Sequence, residues 1–166
     1  GSLWAPDISL VDGQYHLYYS VSSFGSQRSA IGLATSPTLD PLDPDYGWTD
    51  RGPVIVSAPG EATFNAIDPN LVVDEAGDPW LSWGSFWGGI KMRKLDRTTG
   101  LPSAMDTTLY SLAARQDPNT LRGPSNDQSI EAPFIARRDG YYYLFASYDM
   151  CCRGLRSSYN IRVGRA

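Results

Sequence analysis

Cysteine and histidine are almost absent from this sequence. Its 166 residues contain two cysteines, Cys151 and Cys152, and a single histidine, His16. Neighbouring cysteines cannot join distant segments, so the sequence excludes the disulfide framework that many small secreted domains use. No apolar run is long enough to span a bilayer, and we therefore expect no membrane partner. We also recognise no signal peptide at the start of the sequence.

The sequence also lacks an excess of basic residues. Lys and Arg together number 14 against 18 Asp and Glu, which gives a formal net charge of −4. Because no basic stripe is visible, we expect no nucleic-acid partner. Aromatic residues are abundant by contrast, with 5 Trp, 10 Tyr and 5 Phe. Their flat apolar faces and polar tips suit a carbohydrate site, although aromatic side chains are also common in strands.

Helical periodicity is missing as well, and short alternating or aromatic-rich runs take its place. Turn residues such as Val11-Asp12-Gly13 and Arg138-Asp139-Gly140 separate these runs. The pattern predicts an all-β chain. The predicted strands include Tyr15–Ser20, Ala30–Ala34, Val54–Ser57, Leu71–Val73, Trp80–Trp83, Ile90–Leu95 and Tyr141–Ser147.

An internal repeat organises the strands. Three segments share the order Pro, apolar strand, Gly-containing turn and aromatic strand: WAPDISLVDGQYHLYYS, AIDPNLVVDEAGDPWLSWGS and EAPFIARRDGYYYLFAS. The prolines fall at positions 6, 69 and 133 and the turn glycines at 13, 77 and 140, so both markers repeat after about 63 residues. A period of this length is typical of propeller blades. We predict one partial β-propeller domain over residues 1–166, with repeat units at about 3–62, 63–126 and 127–166.

Carboxylates lie close to each of the repeat prolines. Asp7, Asp68 and Glu131 all fall within two residues of Pro6, Pro69 or Pro133. Inner strands line the central channel of a propeller, so we expect the three side chains to converge on one pocket. Like charges at close range raise one another's pKa, and a raised carboxyl pKa is what the general acid of a glycosidase needs.

Five strings in order resemble one enzyme family. WAPDI, SSFGS followed by AIGLATS, NAIDPN, SIEAPF and DMCCRG resemble glycoside hydrolase family 43, and within it the endo-1,5-α-L-arabinanases. The resemblance implies a five-bladed β-propeller, of which this chain covers roughly two and a half to three blades. It implies hydrolysis of α-1,5-L-arabinofuranosidic bonds of arabinan with inversion. Glu131 corresponds to the general acid and Asp68 to the residue that tunes the pKa of this acid.

The resemblance also points to two groups that this sequence does not supply. The family's general base lies in an HDP-type motif. This motif is absent from the sequence, so the base is missing unless Asp7 or another chain substitutes for it. Members of the family commonly hold a central ion, often calcium, through waters and a His. His16 lies among aromatic residues and is interpreted as a strand-face residue, so we place no metal ligand in this chain. We expect no cofactor to be required.

Sugar-binding residues follow from the same strings. The resemblance implies that Trp4 stacks on a sugar ring, that Phe24 shapes a neighbouring subsite, and that the loop with Cys151 and Arg153 lines the cleft. Amide and hydroxyl groups that can bond sugars or the acids, and a further aromatic side chain, lie near these positions. The complete set of expected substrate-binding residues is Trp4, Asp7, Phe24, Asn65, Ser85, Trp87, Cys151 and Arg153.

Three readings of the function remain open at this stage. The chain is an arabinan hydrolase, a truncated propeller that binds arabino-oligosaccharides without turnover, or a structural fragment without activity. Another family 43 activity, β-xylosidase or α-L-arabinofuranosidase, is the enzymatic alternative. The expected partners are arabinan or arabino-oligosaccharide and, through self-association or further blades, the rest of a propeller. Because arabinan is a polymer, we expect an extracellular or periplasmic location.

Overall fold

A computed structural model describes residues 1–123 and 125–166 as an almost purely β structure. Within these residues, eleven strands form three antiparallel sheets that follow one another along the chain. Two short 3-10 helices, Asn126–Gln128 and Gly154–Arg156, complete the regular structure of the described residues. None of the described residues forms a helix long and apolar enough to cross a membrane. The predicted all-β fold class is therefore confirmed.

The first sheet has four strands in the order of the chain. They are β1 (Ser2–Val11), β2 (Gln14–Ser22), β3 (Ser29–Ser36) and β4 (Thr49–Ser57). The turn between β1 and β2 places Asp12 at φ 47° and Gly13 at φ 79°. Two consecutive positive φ angles are the geometry of the tightest hairpin turns, which explains why Asp-Gly occurs at this point.

The second and third sheets repeat this plan. The second contains β5 (Asn70–Val73), β6 (Pro79–Trp83), β7 (Ile90–Lys94) and β8 (Tyr110–Ala113). The third contains β9 (Ile130–Arg138), β10 (Tyr141–Tyr148) and β11 (Asn160–Arg165), with β10 in the middle. Each sheet lies within one of the three repeat units read from the sequence, and each of the strands predicted above overlaps an observed one.

Apolar side chains fill the spaces between neighbouring sheets. A larger cluster joins the first sheet to the second through fully buried residues such as Tyr18, Leu33 and Trp83. A smaller cluster around Ile90 and Ile130 joins the second sheet to the third. This face-to-face packing holds the inner strands β1, β5 and β9 side by side, and the site lies at one end of these strands.

The chain is kinked at the residue before each repeat proline. Ala5, Asp68 and Ala132 all have positive φ angles, of 41°, 58° and 53°. The register of β1 shifts between Trp4 and Asp7, and β9 has a corresponding irregularity opposite β10. An irregularity of this type turns side chains away from the alternation of a regular strand. The kinks therefore decide which of the acidic side chains reach the site.

Candidate active site

A cavity of about 570 Å³ opens at the kinked ends of the inner strands. It brings together residues of β1 and β9 with residues of the loops that precede β5, join β6 to β7 and follow β2 and β10. Every site residue predicted from the sequence lines it except Asp7. The predicted residues that line the cavity are Trp4, Phe24, Asn65, Asp68, Ser85, Trp87, Glu131, Cys151 and Arg153.

Asp68 is held by hydrogen bonds from both of its neighbouring sheets. Its backbone N–H donates to the Ser20 hydroxyl at 3.0 Å, and its Oδ2 accepts the backbone N–H of Ala132 at 3.2 Å. Burial, followed by the nearby Glu131 carboxyl, raises the pKa of Asp68 to about 7. The Asp68 carboxyl group therefore holds a proton close to neutral pH.

Glu131 accepts a hydroxyl hydrogen bond on each of its carboxylate oxygens. Ser85 Oγ donates to Oε2 at 2.8 Å, and Tyr159 Oη donates to Oε1 at 2.8 Å. Ser85 also forms an isolated antiparallel backbone bridge with Glu131. Ser85, which was expected to bind substrate, therefore contacts Glu131, the expected general acid.

The expected convergence of three carboxylates was wrong for Asp7. Its Oδ2 accepts the backbone N–H of Leu71 at 3.0 Å, and its Oδ1 accepts Asn70 Nδ2 at 3.1 Å. The physical reason is its position, since Asp7 follows its proline whereas Asp68 precedes one and Glu131 lies two residues before another. Asp7 lies beyond the kink at Ala5, where the regular pairing of β1 with β2 resumes opposite Tyr18, and its side chain is directed into the contact between the first two sheets.

The aromatic residues of the cavity differ in exposure. Phe24 is 85% exposed at the rim, whereas Trp87 is only 6% exposed. A side chain added at Gly123 would overlap the Trp87 ring, so the loop there is packed closely against the indole. Phe24 is thus available for contact with a ligand, whereas Trp87 is almost completely buried.

The polar lining is fixed by the protein as well. Asn65 is buried, and its Oδ1 accepts the Ser29 hydroxyl at 2.7 Å. Cys151 and Cys152 are joined in a disulfide, a state that the sequence left open. Arg153 reaches Asn126 Oδ1 at 3.5 Å. The loop after β10 thus forms one wall of the cavity.

Several lining residues escaped the sequence analysis, notably Asn126, Asp149 and Tyr159. Asp149 is a third carboxylate in the cavity, but it is fully engaged. Arg115 binds its Oδ1, and Asn160 Nδ2 donates to Oδ2 at 2.8 Å. The hydrogen bond from Arg115 is the main reason that the pKa of Asp149 is lowered.

The described residues do not fit a directly bound metal ion. Among them, no group of three or more His, Cys, Asp or Glu is arranged to hold one. His16 is buried outside the cavity, and its Nδ1 lies against Gly100 without a hydrogen-bond partner.

Comparisons with known proteins agree over the whole chain. The profile of glycosyl hydrolases family 43 matches residues 1–166. The chain is 49% identical over 163 residues to the extracellular endo-α-(1→5)-L-arabinanase 1 of Bacillus subtilis, with 98% of this chain and 46% of the relative covered. It is 46% identical to the extracellular exo-α-(1→5)-L-arabinofuranosidase ArbA of Cellvibrio japonicus, with 100% and 48% covered.

Solved structures give the same result. The α-L-arabinanase of Cellvibrio cellulosa complexed with arabinohexaose superposes with a TM-score of 0.88 at 45% sequence identity, covering 99% of this chain and 52% of that one. The chain therefore spans about half the length of the relatives it matches. The stacked sheets and the carboxyl pair at their ends define a partial β-propeller of the glycosidase type. The chain belongs to glycosyl hydrolases family 43 and contains about half of a five-bladed propeller.

Proposed function

We propose that this chain forms the acid-bearing half of an active site that cleaves α-1,5-L-arabinofuranosidic bonds of arabinan with inversion. The observation that carries the proposal is the Asp68–Glu131 pair. Both carboxyl groups line the cavity, and the pKa of Asp68 is close to neutral pH. A carboxyl pair that keeps one proton near pH 7 can protonate a glycosidic oxygen. The names of the relatives support arabinan as the substrate.

Each group has a distinct role in the proposed reaction. Glu131 gives its proton to the glycosidic oxygen as the C–O bond breaks, and the electron pair of that bond leaves with the oxygen. Asp68 keeps the proton available by repelling a second negative charge on the pair. Inversion further requires a base that takes a proton from water as the water oxygen forms a bond to the anomeric carbon from the opposite face of the sugar.

The base is the group that the described cavity does not provide. Asp149 has both oxygens engaged by Arg115 and Asn160, and Asp7 is occupied with Leu71 and Asn70. We assign the base to the part of the propeller that the relatives have beyond the matched segment. The same observation favours a second candidate function, in which this chain alone binds arabino-oligosaccharides without turnover.

One experiment separates the two functions. Reducing-sugar release from linear 1,5-arabinan is measured for this chain and for a chimera in which it replaces the matched segment of the Bacillus subtilis relative. We expect the chimera to release sugar and Glu131→Gln in the chimera to lose release by at least about a hundredfold while binding of arabino-oligosaccharide is kept. We expect the chain alone to bind the oligosaccharide without releasing sugar.

The remaining outcomes are equally informative. Unchanged turnover in Glu131→Gln would contradict the acid assignment. Binding without release by a folded chimera would support the binding function instead. Turnover of an aryl β-xyloside in preference to arabinan would favour the other family 43 activity. Because two relatives are extracellular by name, we also propose that the protein acts outside the cell.

A further inference from the structure

Two hydroxyl groups that differ in their burial donate hydrogen bonds to the Glu131 carboxylate. Ser85 is 3% exposed and lies between β6 and β7, where its backbone pairs with Glu131. The next residue continues this contact, because Phe86 N–H donates to the Ile130 carbonyl at 2.8 Å. Oε2 of Glu131 therefore has a hydrogen-bond partner that is itself almost completely buried.

Tyr159 contacts the other oxygen from the open side of the cavity. It immediately precedes β11, it is 41% exposed, and it lines the cavity. Its phenol donates to Oε1 of Glu131 at 2.8 Å. Of the two Glu131 oxygens, Oε1 thus has the more exposed hydroxyl partner.

We propose that Tyr159 is a positioning residue for Glu131, and that its phenol hydroxyl stabilises the negative charge that develops on Oε1 as the proton leaves for the substrate. This role deepens the proposed glycosidase function and rests on it. A hydroxyl can accept a hydrogen bond from a protonated carboxyl and donate one to an ionised carboxylate. The same phenol therefore stays beside Oε1 before and after the transfer.

The environment keeps the phenol protonated throughout. Burial raises the pKa of Tyr159, and the nearby carboxylates of Glu131 and Asp68 raise it further. Its hydroxyl is consequently available as a donor over the whole range in which the carboxyl pair titrates. A donor directed at a charge that appears only in the transition state lowers the barrier more than it strengthens substrate binding.

Tyr159→Phe isolates this hydroxyl because it keeps the ring. Removal of a donor disfavours the ionised carboxylate, so the carboxyl pair should titrate at higher pH. We predict that the midpoint for Asp68 and Glu131, followed by ¹³C NMR of the labelled carboxyl carbons in the 166-residue chain, rises by roughly one pH unit. Tyr143→Phe removes a phenol from the same sheet outside the cavity, and it should leave the midpoint unchanged.

Kinetics of the chimera give a second readout. Tyr159→Phe should lower kcat roughly ten- to a hundredfold with little change in KM, because the lost hydrogen bond acts on the developing charge. A rise in KM with unchanged kcat and an unmoved titration midpoint would overturn the role. Should Tyr159→Phe fail to give a folded circular dichroism spectrum, Ser85→Ala tests the same two-sided arrangement and should move the midpoint in the same direction.

The NMR titration needs no turnover, so the two proposals fail separately. A shifted midpoint in the 166-residue chain, together with a chimera that never cleaves arabinan, would support the hydroxyl contact and contradict the glycosidase function. Cleavage of arabinan together with an unmoved midpoint in the folded variants would contradict the role of Tyr159 alone.

Discussion

The raised pKa of Asp68 makes the free energy of unfolding depend on pH. Its pKa is about 7 in the folded chain, whereas an unperturbed aspartate has a pKa of 3.8. Between these values the folded state binds more protons than the unfolded state, so the free energy of unfolding falls as the pH rises. Above about pH 7 this loss of unfolding free energy reaches its full value, because Asp68 is then ionised in both the folded and the unfolded state. The cost follows first from the burial of the Asp68 carboxyl group and then from the nearby Glu131 carboxyl group.

Asp68→Asn should remove this cost. We predict that the variant is more stable than the parent, by an amount that grows between about pH 4 and pH 7 and then stays constant. At roughly 1.4 kcal/mol per pKa unit the gain is on the order of a few kcal/mol. Thermal denaturation at pH 5 and pH 8 measures it, with Asp45→Asn on the exposed surface as the control. An equal effect at both pH values would contradict the raised pKa.

Single residues were predicted from the sequence where a motif marked them. The motifs with Trp4, Asp68 and Glu131 all contribute to the cavity, as their strings indicated. Asp7 was misplaced because distance from a proline does not say on which side of the strand a side chain emerges. Tyr159 was missed because it lies 28 residues from Glu131 and belongs to no motif. Only the folded third sheet brings these two together.

At the scale of elements, the first residue of β5 and the corresponding residue of β1 connect the inner strands. Asp7 accepts the backbone N–H of Leu71, and Asn70 Oδ1 accepts the backbone N–H of Ile135 at 2.7 Å. Asp7 and Asn70 are also bonded to each other. The repeat thus places one acceptor after each of the first two prolines, and Phe134 takes this position in the third unit. This series of hydrogen bonds sets the spacing of the strands that carry the site.

Asn70→Ala should weaken the contact between the second and third sheets. The change leaves the N–H of Ile135 without its acceptor and removes the amide donor to Asp7, so we expect a loss of about 1–3 kcal/mol of unfolding free energy. Urea denaturation of the 166-residue chain measures the loss, and Asn119→Ala on the exposed surface serves as the control. A loss no greater than that of Asn119→Ala would mean that the sheets are held by apolar packing alone.

The kinked backbone at the prolines lay beyond sequence-based prediction. Residues before proline favour extended conformations, whereas Ala5, Asp68 and Ala132 have positive φ angles. At Asp68, hydrogen bonds to Ser20 and from Ala132 hold this conformation. Since both partners come from other repeat units, the local sequence carries no sign of it.

At the scale of the whole molecule, the two outermost sheets expose apolar side chains. Leu3 and Ile8 of β1 are 72% and 48% exposed, and Ile161 and Val163 of β11 are 72% and 58% exposed. A propeller buries such faces against neighbouring blades, and the relatives are about twice as long as this chain. We therefore expect these faces to pack against further sheets, either of a longer chain or of a second copy.

The repeat allowed the arrangement of the whole molecule to be predicted better than its details. A period of about 63 residues, shown by two independent markers, predicted three successive units of antiparallel strands, and three sheets are observed. The loops that close the cavity, including the one with the disulfide, have no periodicity of their own. Their contacts, such as that of Arg115 with Asp149, join different units and follow only from the packed structure.

The most direct test of Glu131 as the proton donor compares two substrates in the chimera. Arabinan has a poor leaving group that needs protonation, whereas the dinitrophenolate of a dinitrophenyl α-L-arabinofuranoside leaves without it. We predict that Glu131→Gln lowers kcat/KM for arabinan by at least about a hundredfold and for the aryl glycoside by less than about tenfold. Equal losses on both substrates, or none on arabinan, would contradict the assignment of Glu131 as the general acid.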